Sequence, residues 1–166
     1  MSAVANPQFA LRPFLPADAP VIAEIFRAAI VELTADDYSE AQQEAWAAAA
    51  EDEADFAQRL DKQLTLVVTM QGSPVGFASL KDNETVDMLY VHPGVAGHGA
   101  AAMLADALEK LAAARGAKKL TVDASDTARG FFEKRGYVAQ QRNSVSVGNE
   151  WLANTTLSKA LAGGKA

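Results

Sequence analysis

Gly97 and Gly99 stand in the run Val91-His92-Pro93-Gly94-Val95-Ala96-Gly97-His98-Gly99-Ala100-Ala101, where a strand-like segment gives way to a helix-like one. Glycine adopts the backbone angles of a tight turn, and alanine keeps side chains out of the space in front of it. Such a turn aims several backbone N–H groups at one place, with the positive end of a helix dipole behind them. The chemistry on offer is capture of a phosphate or pyrophosphate, hence of a nucleotide-like cofactor; the alternative is an ordinary strand-to-helix turn. A nucleotide hydrolase fits poorly, because the turn lacks the Gly-Lys-Ser/Thr ending that holds phosphate and magnesium. The chain has two histidines, His92 and His98, too few and too poorly spaced for a zinc site, and it has no cysteine. No metal is expected.

The elements that must position this turn follow from periodicity. Leu64, Leu66, Val68 and Met70 alternate with Thr65, Val67 and Thr69, as a strand requires. Gln71-Gly72-Ser73 turns the chain, Pro74 to Lys81 returns, Asp82-Asn83 turns it again, and Thr85 to Val91 completes a meander. After the glycine turn, Leu104, Leu108 and Leu111 mark one face of a helix that ends at Arg115-Gly116. Upstream, Phe9 to Phe14 reads as a strand, and Asp18 can cap a helix through Val21, Ile22, Ile25, Phe26 and Ile30. Thr34 to Tyr38 is a polar break, Ser39 can cap a helix holding Gln42, Gln43 and Trp46, and Asp52 to Leu60 forms a further helical piece. Downstream come a strand over Lys119 to Asp123, a short helix over Asp126 to Arg135 stopped by Gly136, and a hairpin of Tyr137 to Val147 with Trp151 to Lys159. The expected order is β-α-α-β-β-β-α-β-α-β-β, a mixed α+β sheet in one domain over 1-166, with loose tails at 1-6 and 162-166.

Composition narrows the partners. The 166 residues carry a formal net charge of −6 with no cluster of lysine or arginine, which argues against nucleic acid and admits a cationic or neutral substrate. No apolar run approaches the roughly 20 residues that span a bilayer, so no membrane partner is expected. Met1 to Asn6 carries neither the basic nor the apolar region of a signal peptide, and a cytoplasmic location is expected.

The strand ending Leu89-Tyr90-Val91-His92-Pro93, the Gly97-x-Gly99 turn, and Ser125-x-x-Ala128-x-x-Phe131-Phe132-Glu133-Lys134-Arg135-Gly136-Tyr137 stand in a fixed order. Together they resemble the GNAT superfamily of acetyl-CoA-dependent N-acetyltransferases, over nearly the whole chain from Leu11-Arg12-Pro13. Asp37-Tyr38-Ser39, Ala45-Trp46, Asp87-Met88-Leu89-Tyr90-Val91 and Asn149-Glu150-Trp151-Leu152-Ala153-Asn154 are closest to YafP-like bacterial members. The resemblance implies a GNAT-like, mostly antiparallel sheet with helices on both faces. It also implies acetyl-CoA as cosubstrate, an unidentified primary amine on a small molecule or a peptide as acceptor, direct transfer of the acetyl group, and a monomer or homodimer.

The family's Gln/Arg-x-x-Gly-x-Gly/Ala turn falls on Ala96, Gly97, His98, Gly99, Ala100 and Ala101, with Ala96 at the opening Gln/Arg position. The contact is mostly backbone, so alanine changes the motif more than the chemistry. The backbone of Leu89, Tyr90 and Val91 is implied to pair with the pantetheine arm and to hold the thioester oxygen. In the family's Asn-x-x-Ala-x-x-x-Tyr segment, Ser125 replaces the asparagine and Phe132 the tyrosine that protonates the leaving thiolate. Either another group such as Tyr90 or a water serves as the acid, or the thiolate leaves unprotonated. Phe131 and Phe132 are expected to pack under the cofactor. Asp87 aligns with the acidic position that takes the amine's proton, and is equally readable as a strand residue paired to a basic neighbour; Glu84, His92 and Tyr38 are weaker options. Tyr38, Trp46 and Trp151 are candidates for the acceptor pocket, with core packing as the alternative for Trp46. The acidic residues Glu40, Glu44, Glu51, Asp52, Glu53 and Asp55 read as a solvated helical face or as an attractor of a cationic amine. The missing tyrosine and Gln/Arg leave a second function open: a non-catalytic acyl-CoA-binding sensor or partner-binding module.

Overall fold

The computed structural model describes residues 8–161, so the expected tails lie outside the described residues. Strand β1 is Phe9–Pro13, followed by helices α1 (Ala19–Leu33), α2 (Glu40–Ala47) and α3 (Glu53–Asp61). The meander is β2 (Leu64–Met70), β3 (Ser73–Lys81) and β4 (Thr85–Val91). Then come α4 (Ala100–Ala114), β5 (Lys119–Ser125), α5 (Arg129–Lys134), β6 (Val138–Val147) and β7 (Glu150–Ala160). The strands form one sheet in the order β1-β2-β3-β4-β5-β7-β6, and only β4 and β5 run parallel. This is the expected mixed α+β sheet, with one addition. The helical piece at Asp52 to Leu60 is a full third helix before the meander, N-capped where Asp52 Oδ1 accepts from the Asp55 amide at 3.0 Å.

Strand alternation divides the core between the two faces. Val68, Ala78, Leu80 and Val122 pack with Leu104 and Leu108 of α4, while Val67, Phe77 and Met88 pack with Phe26 of α1 and Phe56 and Leu60 of α3. Full burial of each such valine, leucine, phenylalanine or methionine side chain contributes about 1.5–3 kcal/mol. The helices therefore cover both faces. Gly76 lets β3 approach its neighbours, since a Cβ there would lie 2.9 Å from Val68 Cγ1 and 3.0 Å from the Tyr90 carbonyl.

Local signals held where the partner was close in sequence. Ser39 Oγ accepts from the Gln42 amide and the Gln42 side chain returns the bond to the Ser39 N–H, a reciprocal cap. Asp18 does not cap α1 with its side chain: it is gripped by Arg12 through bonds of 2.8 Å and 2.8 Å, and accepts from the Leu15 amide. An ion pair offering two charge-assisted bonds outcompetes a single helix amide. Helix α5 begins at Arg129 rather than Asp126, because Ser125 closes a turn on the Ala128 amide. The acidic residues Glu40, Glu44, Glu51, Asp52, Glu53 and Asp55 are all exposed. Among the described residues, no helix is long and apolar enough to cross a membrane.

Candidate active site

Strands β4 and β5 pair only at Thr85–Thr121 and Val86–Val122, and diverge beyond them. On its other side β4 stays paired to β3 as far as Val91. Past Val86, the β5-facing edge of β4 therefore has no strand partner, and an open cleft of about 200 Å³ lies there. The last hairpin, β6–β7, forms its far wall through Val145, Val147 and Leu152. Leu89, Tyr90, Ser125, Ala128 and Phe132 also line it, whereas Phe131 does not but packs edge-on to Phe132 at 5.1 Å.

The glycine turn lies at the end of this free edge. His92 Nδ1 accepts from the Gly94 amide at 2.9 Å and starts a short 3-10 turn over Pro93–Val95, so His92 serves the backbone. Gly97 has φ of +83° and Gly99 of +97°, in the left-handed region where a side chain is strained. A Cβ on either would meet no protein atom within 4 Å, so it is conformation rather than packing that requires glycine. The Val95, Ala96, His98 and Met103 amides bond to backbone carbonyls. Those of Gly97, Gly99, Ala100, Ala101 and Ala102 have no protein acceptor among the described residues, and they cluster at the start of the 15-residue α4. Consecutive free amides in this geometry form an anion-binding concavity. His98 is exposed.

A β-bulge sets the direction of Asp87. Leu80 pairs with Val86 and Ser79 with Met88, leaving Asp87 as the extra residue. In an unbroken strand it would share a face with Leu89, toward α4; the bulge turns it to the α3 side with Met88 and Tyr90. There Asp87 Oδ2 accepts from Arg59 Nε at 3.0 Å and Gln63 Nε2 at 2.9 Å. Pairing with a basic neighbour is thus present, and the residue also lines the cleft. Glu84 lies exposed in the preceding turn.

The aromatic wall is hydrogen-bonded through its polar ends. Trp46 Nε1–H donates to the Tyr90 hydroxyl at 3.2 Å, and Phe26 and Phe77 enclose the Tyr90 ring at centroid distances of 4.8 Å and 5.7 Å. This burial pushes the Tyr90 phenol up to about 12, so it holds its proton at neutral pH. Tyr38 donates to the Ala153 carbonyl at 2.6 Å and accepts from the Asp126 amide at 2.9 Å, joining the α1–α2 connection to β7 and the β5–α5 turn. Burial raises its phenol as well. Both Tyr38 and Trp46 line the cleft, whereas Trp151 does not. Trp151 is 64% exposed, because alternation along β7 turns Leu152 inward; its carbonyl accepts from Gln42 Nε2 at 2.7 Å.

A phenol raised by folding favours the folded state below its ordinary pKa of 10, and that contribution is lost as pH rises toward 12. In alkaline thermal melts, the native protein is expected to lose stability between pH 10 and 12 more steeply than Tyr90→Phe. At pH 7 the variant should be about 1–2 kcal/mol less stable, since the Trp46 N–H loses its acceptor. Parallel curves would place Tyr90 in a solvated environment.

Sequence reasoning did not single out Arg59, Gln63 or Asp123. Arg59 and Gln63 are brought to Asp87 only by the docking of α3. Asp123 lies in a strand that reads as buried, but it faces the cleft beside Asp87, where Thr156 Oγ1 donates to it at 2.5 Å. One signal could have found it, a carboxylate alternating with Val122 and Ala124.

Known proteins share this fold. The family described as an acetyltransferase (GNAT) domain matches residues 34–153. The uncharacterized N-acetyltransferase YafP of Escherichia coli (strain K12) is 33% identical over 144 residues, covering 87% of this chain and 91% of that protein. The crystal structure of a GCN5-related N-acetyltransferase from Rhodopseudomonas palustris is 66% identical, with a TM-score of 0.91 and coverage of 94% of this chain and 96% of that one. The PaiA N-acetyltransferase of Thermoplasma acidophilum, determined in complex with coenzyme A, shares the fold at 17% identity with a TM-score of 0.76, over 92% of this chain and 99% of that one. The family match spans both the diverging strands and the amide-rich turn, and the chain belongs to the GNAT acetyltransferase family.

Proposed function

We propose that this protein transfers the acetyl group of acetyl-CoA to a primary amine by direct attack. The observation that carries this is the divergence of β4 from β5 beyond Val86–Val122, which opens the cleft beside the free amides of Gly97 to Ala102. These features fit the cosubstrate: a concavity for a pyrophosphate, and a free strand edge for an arm bearing amide groups. The coenzyme A complex of PaiA, and its shared fold, support the same choice.

Acetyl-CoA supplies a thioester whose carbonyl carbon an uncharged amine attacks. The turn amides hold the pyrophosphate, and the unpaired edge over Leu89, Tyr90 and Val91 holds the arm and donates to the thioester oxygen as charge grows on it. Phe132 and Ala128 pack beneath, with Phe131 behind Phe132 and Ser125 fixing the turn that leads into α5. Asp87 takes up the proton the ammonium must lose, directly or through water. Burial keeps the proton on the Tyr90 hydroxyl, whose oxygen accepts from Trp46 and whose O–H is left to donate to the leaving thiolate, the surplus proton of the acylated nitrogen then replacing it.

Thermal melting tests the cosubstrate and thiol release tests the reaction. A ligand at about a hundred times its Kd adds roughly 2.7 kcal/mol of apparent stability. Acetyl-CoA and CoA should raise Tm while ATP and NAD do not, and a panel of amines should contain at least one that releases thiol. No shift with acetyl-CoA overturns the reading. A shift without turnover of any amine reduces the protein to a binding module.

A further inference from the structure

The cleft's charge and shape identify the class of amine, on the footing that it is the acetyl-transfer site. We infer that Asp123 receives the acceptor's ammonium group, and that the acceptors are cationic primary amines with an apolar or aromatic body and no carboxylate.

Position comes first. Asp87 and Asp123 each follow one member of Val86–Val122, the last β4–β5 pair, so their carboxylates flank the point where the strands part. Val122 and Ala124 pack into the α4-side core, which sends Asp123 to the opposite face, the one Asp87 occupies because of its bulge. Both line the cleft.

Charge separates the two. Asp87 is ion-paired to Arg59 at 3.0 Å. Asp123 makes no ion pair among the described residues. Its carboxylate is oriented by a neutral chain in which Asn143 Nδ2 donates to Thr156 Oγ1 at 2.9 Å and Thr156 donates to Asp123. No lysine, arginine or histidine lines the cleft among the described residues, and Arg142 of β6 is committed to Asp126 at 2.5 Å and 3.0 Å. Asp123 is therefore an oriented, solvent-exposed carboxylate with no basic partner beside the free edge of β4. It attracts a cation, and a ligand carboxylate there would face like charge with no basic group to answer it.

Shape gives the remainder. Tyr38, Trp46 and Tyr90 wall the cleft, and Val145, Val147 and Leu152 face them from the hairpin. Both hydrogen-bonding functions of the Tyr38 hydroxyl are engaged by Ala153 and Asp126, so the ring presents carbon. Aromatic faces attract ammonium groups and pack apolar bodies.

The test uses matched probes that differ by one carboxylate: tryptamine against tryptophan, and phenethylamine against phenylalanine, followed by thiol release at saturating acetyl-CoA. The amine of each pair should exceed its amino acid in kcat/KM by about tenfold or more. Asp123→Asn should lower kcat/KM for the amines about ten- to a hundredfold, chiefly through KM, and narrow the gap within each pair. The acetyl-CoA-induced rise in Tm should persist, which a disrupted fold would not allow. The comparison on the native protein needs no variant. Equal use of the amino acids overturns the inference, as does turnover of neither member by a protein whose Tm acetyl-CoA raises, or an unchanged ratio in Asp123→Asn. Loss of the Tm rise in the native protein would instead overturn the acetyl-transfer reading beneath it.

Discussion

Gly99→Val should lower acetyl-CoA affinity on the order of a hundredfold while leaving the hydrophobic core intact. Gly99 sits at φ +97°, where a β-branched residue is a steric outlier, and a left-handed conformation costs a side-chain-bearing residue about 1–2 kcal/mol. The turn relaxes to relieve that strain, and the amides of Gly97, Gly99 and Ala100 cease to converge. A Cβ at this position meets no protein atom within 4 Å, so the valine projects into the open space in front of the turn. Two charge-assisted hydrogen bonds lost from a bound pyrophosphate account for the magnitude. Calorimetric titration with acetyl-CoA measures it. Binding within threefold of the parent would detach the turn from the cosubstrate.

Glu109→Gln is expected to be the most destabilising single change outside the apolar core, by about 3 kcal/mol at pH 7. The Glu109 side chain is 11% exposed and ties α4 to the closing hairpin. Its Oε1 accepts from Lys159 Nζ at 2.8 Å and from Arg135 at 3.1 Å, and its Oε2 from the Tyr137 hydroxyl at 3.0 Å. Burial by itself pushes this carboxyl up. The bonds from Lys159 and Arg135 outweigh burial, and the net direction is down from 4.5. A carboxyl lowered by folding contributes stability above its ordinary pKa and loses it as pH falls through the folded value. The gap between native protein and variant should be full at pH 7 and shrink as pH drops below 4.5. Urea unfolding at pH 7 and pH 3.5 checks both statements, and a gap independent of pH would mean that the charge is not what matters. Because α4 carries the turn at its other end, this latch also steadies the anion site.

The elements most readable from the sequence are those whose causes are local. The β2–β3–β4 meander follows from alternation and two tight turns, and the cap on α2 from Ser39 and Gln42 standing three apart. The glycine turn follows from a composition that fits little else. The family resemblance reached further, to the order of strands and helices. The candidate site was only half visible. Asp87, Tyr90, Tyr38 and Trp46 could be named as chemistry-bearing residues, but their partners could not. Arg59 meets Asp87 across 28 positions and Tyr38 meets Ala153 across 115, and no periodicity links residues so distant. Trp151 attracted notice as a large aromatic, yet the register of β7 turns it to solvent. Asp123 attracted none, although the parting of β4 from β5 leaves it facing the cleft without a cation.

The sequence by itself therefore determined the helices and strands, the turn that can hold an anion, and the kind of family that uses one. Backbone preference and side-chain periodicity act over a few residues and survive without the rest of the molecule. The tertiary structure alone decided which way Asp87 points, which carboxylate is compensated and which aromatic rings reach the cleft. Each of these depends on a bulge, a strand divergence or a docked helix, and those arise only when segments remote in the chain compete for the same hydrogen bonds and the same buried space.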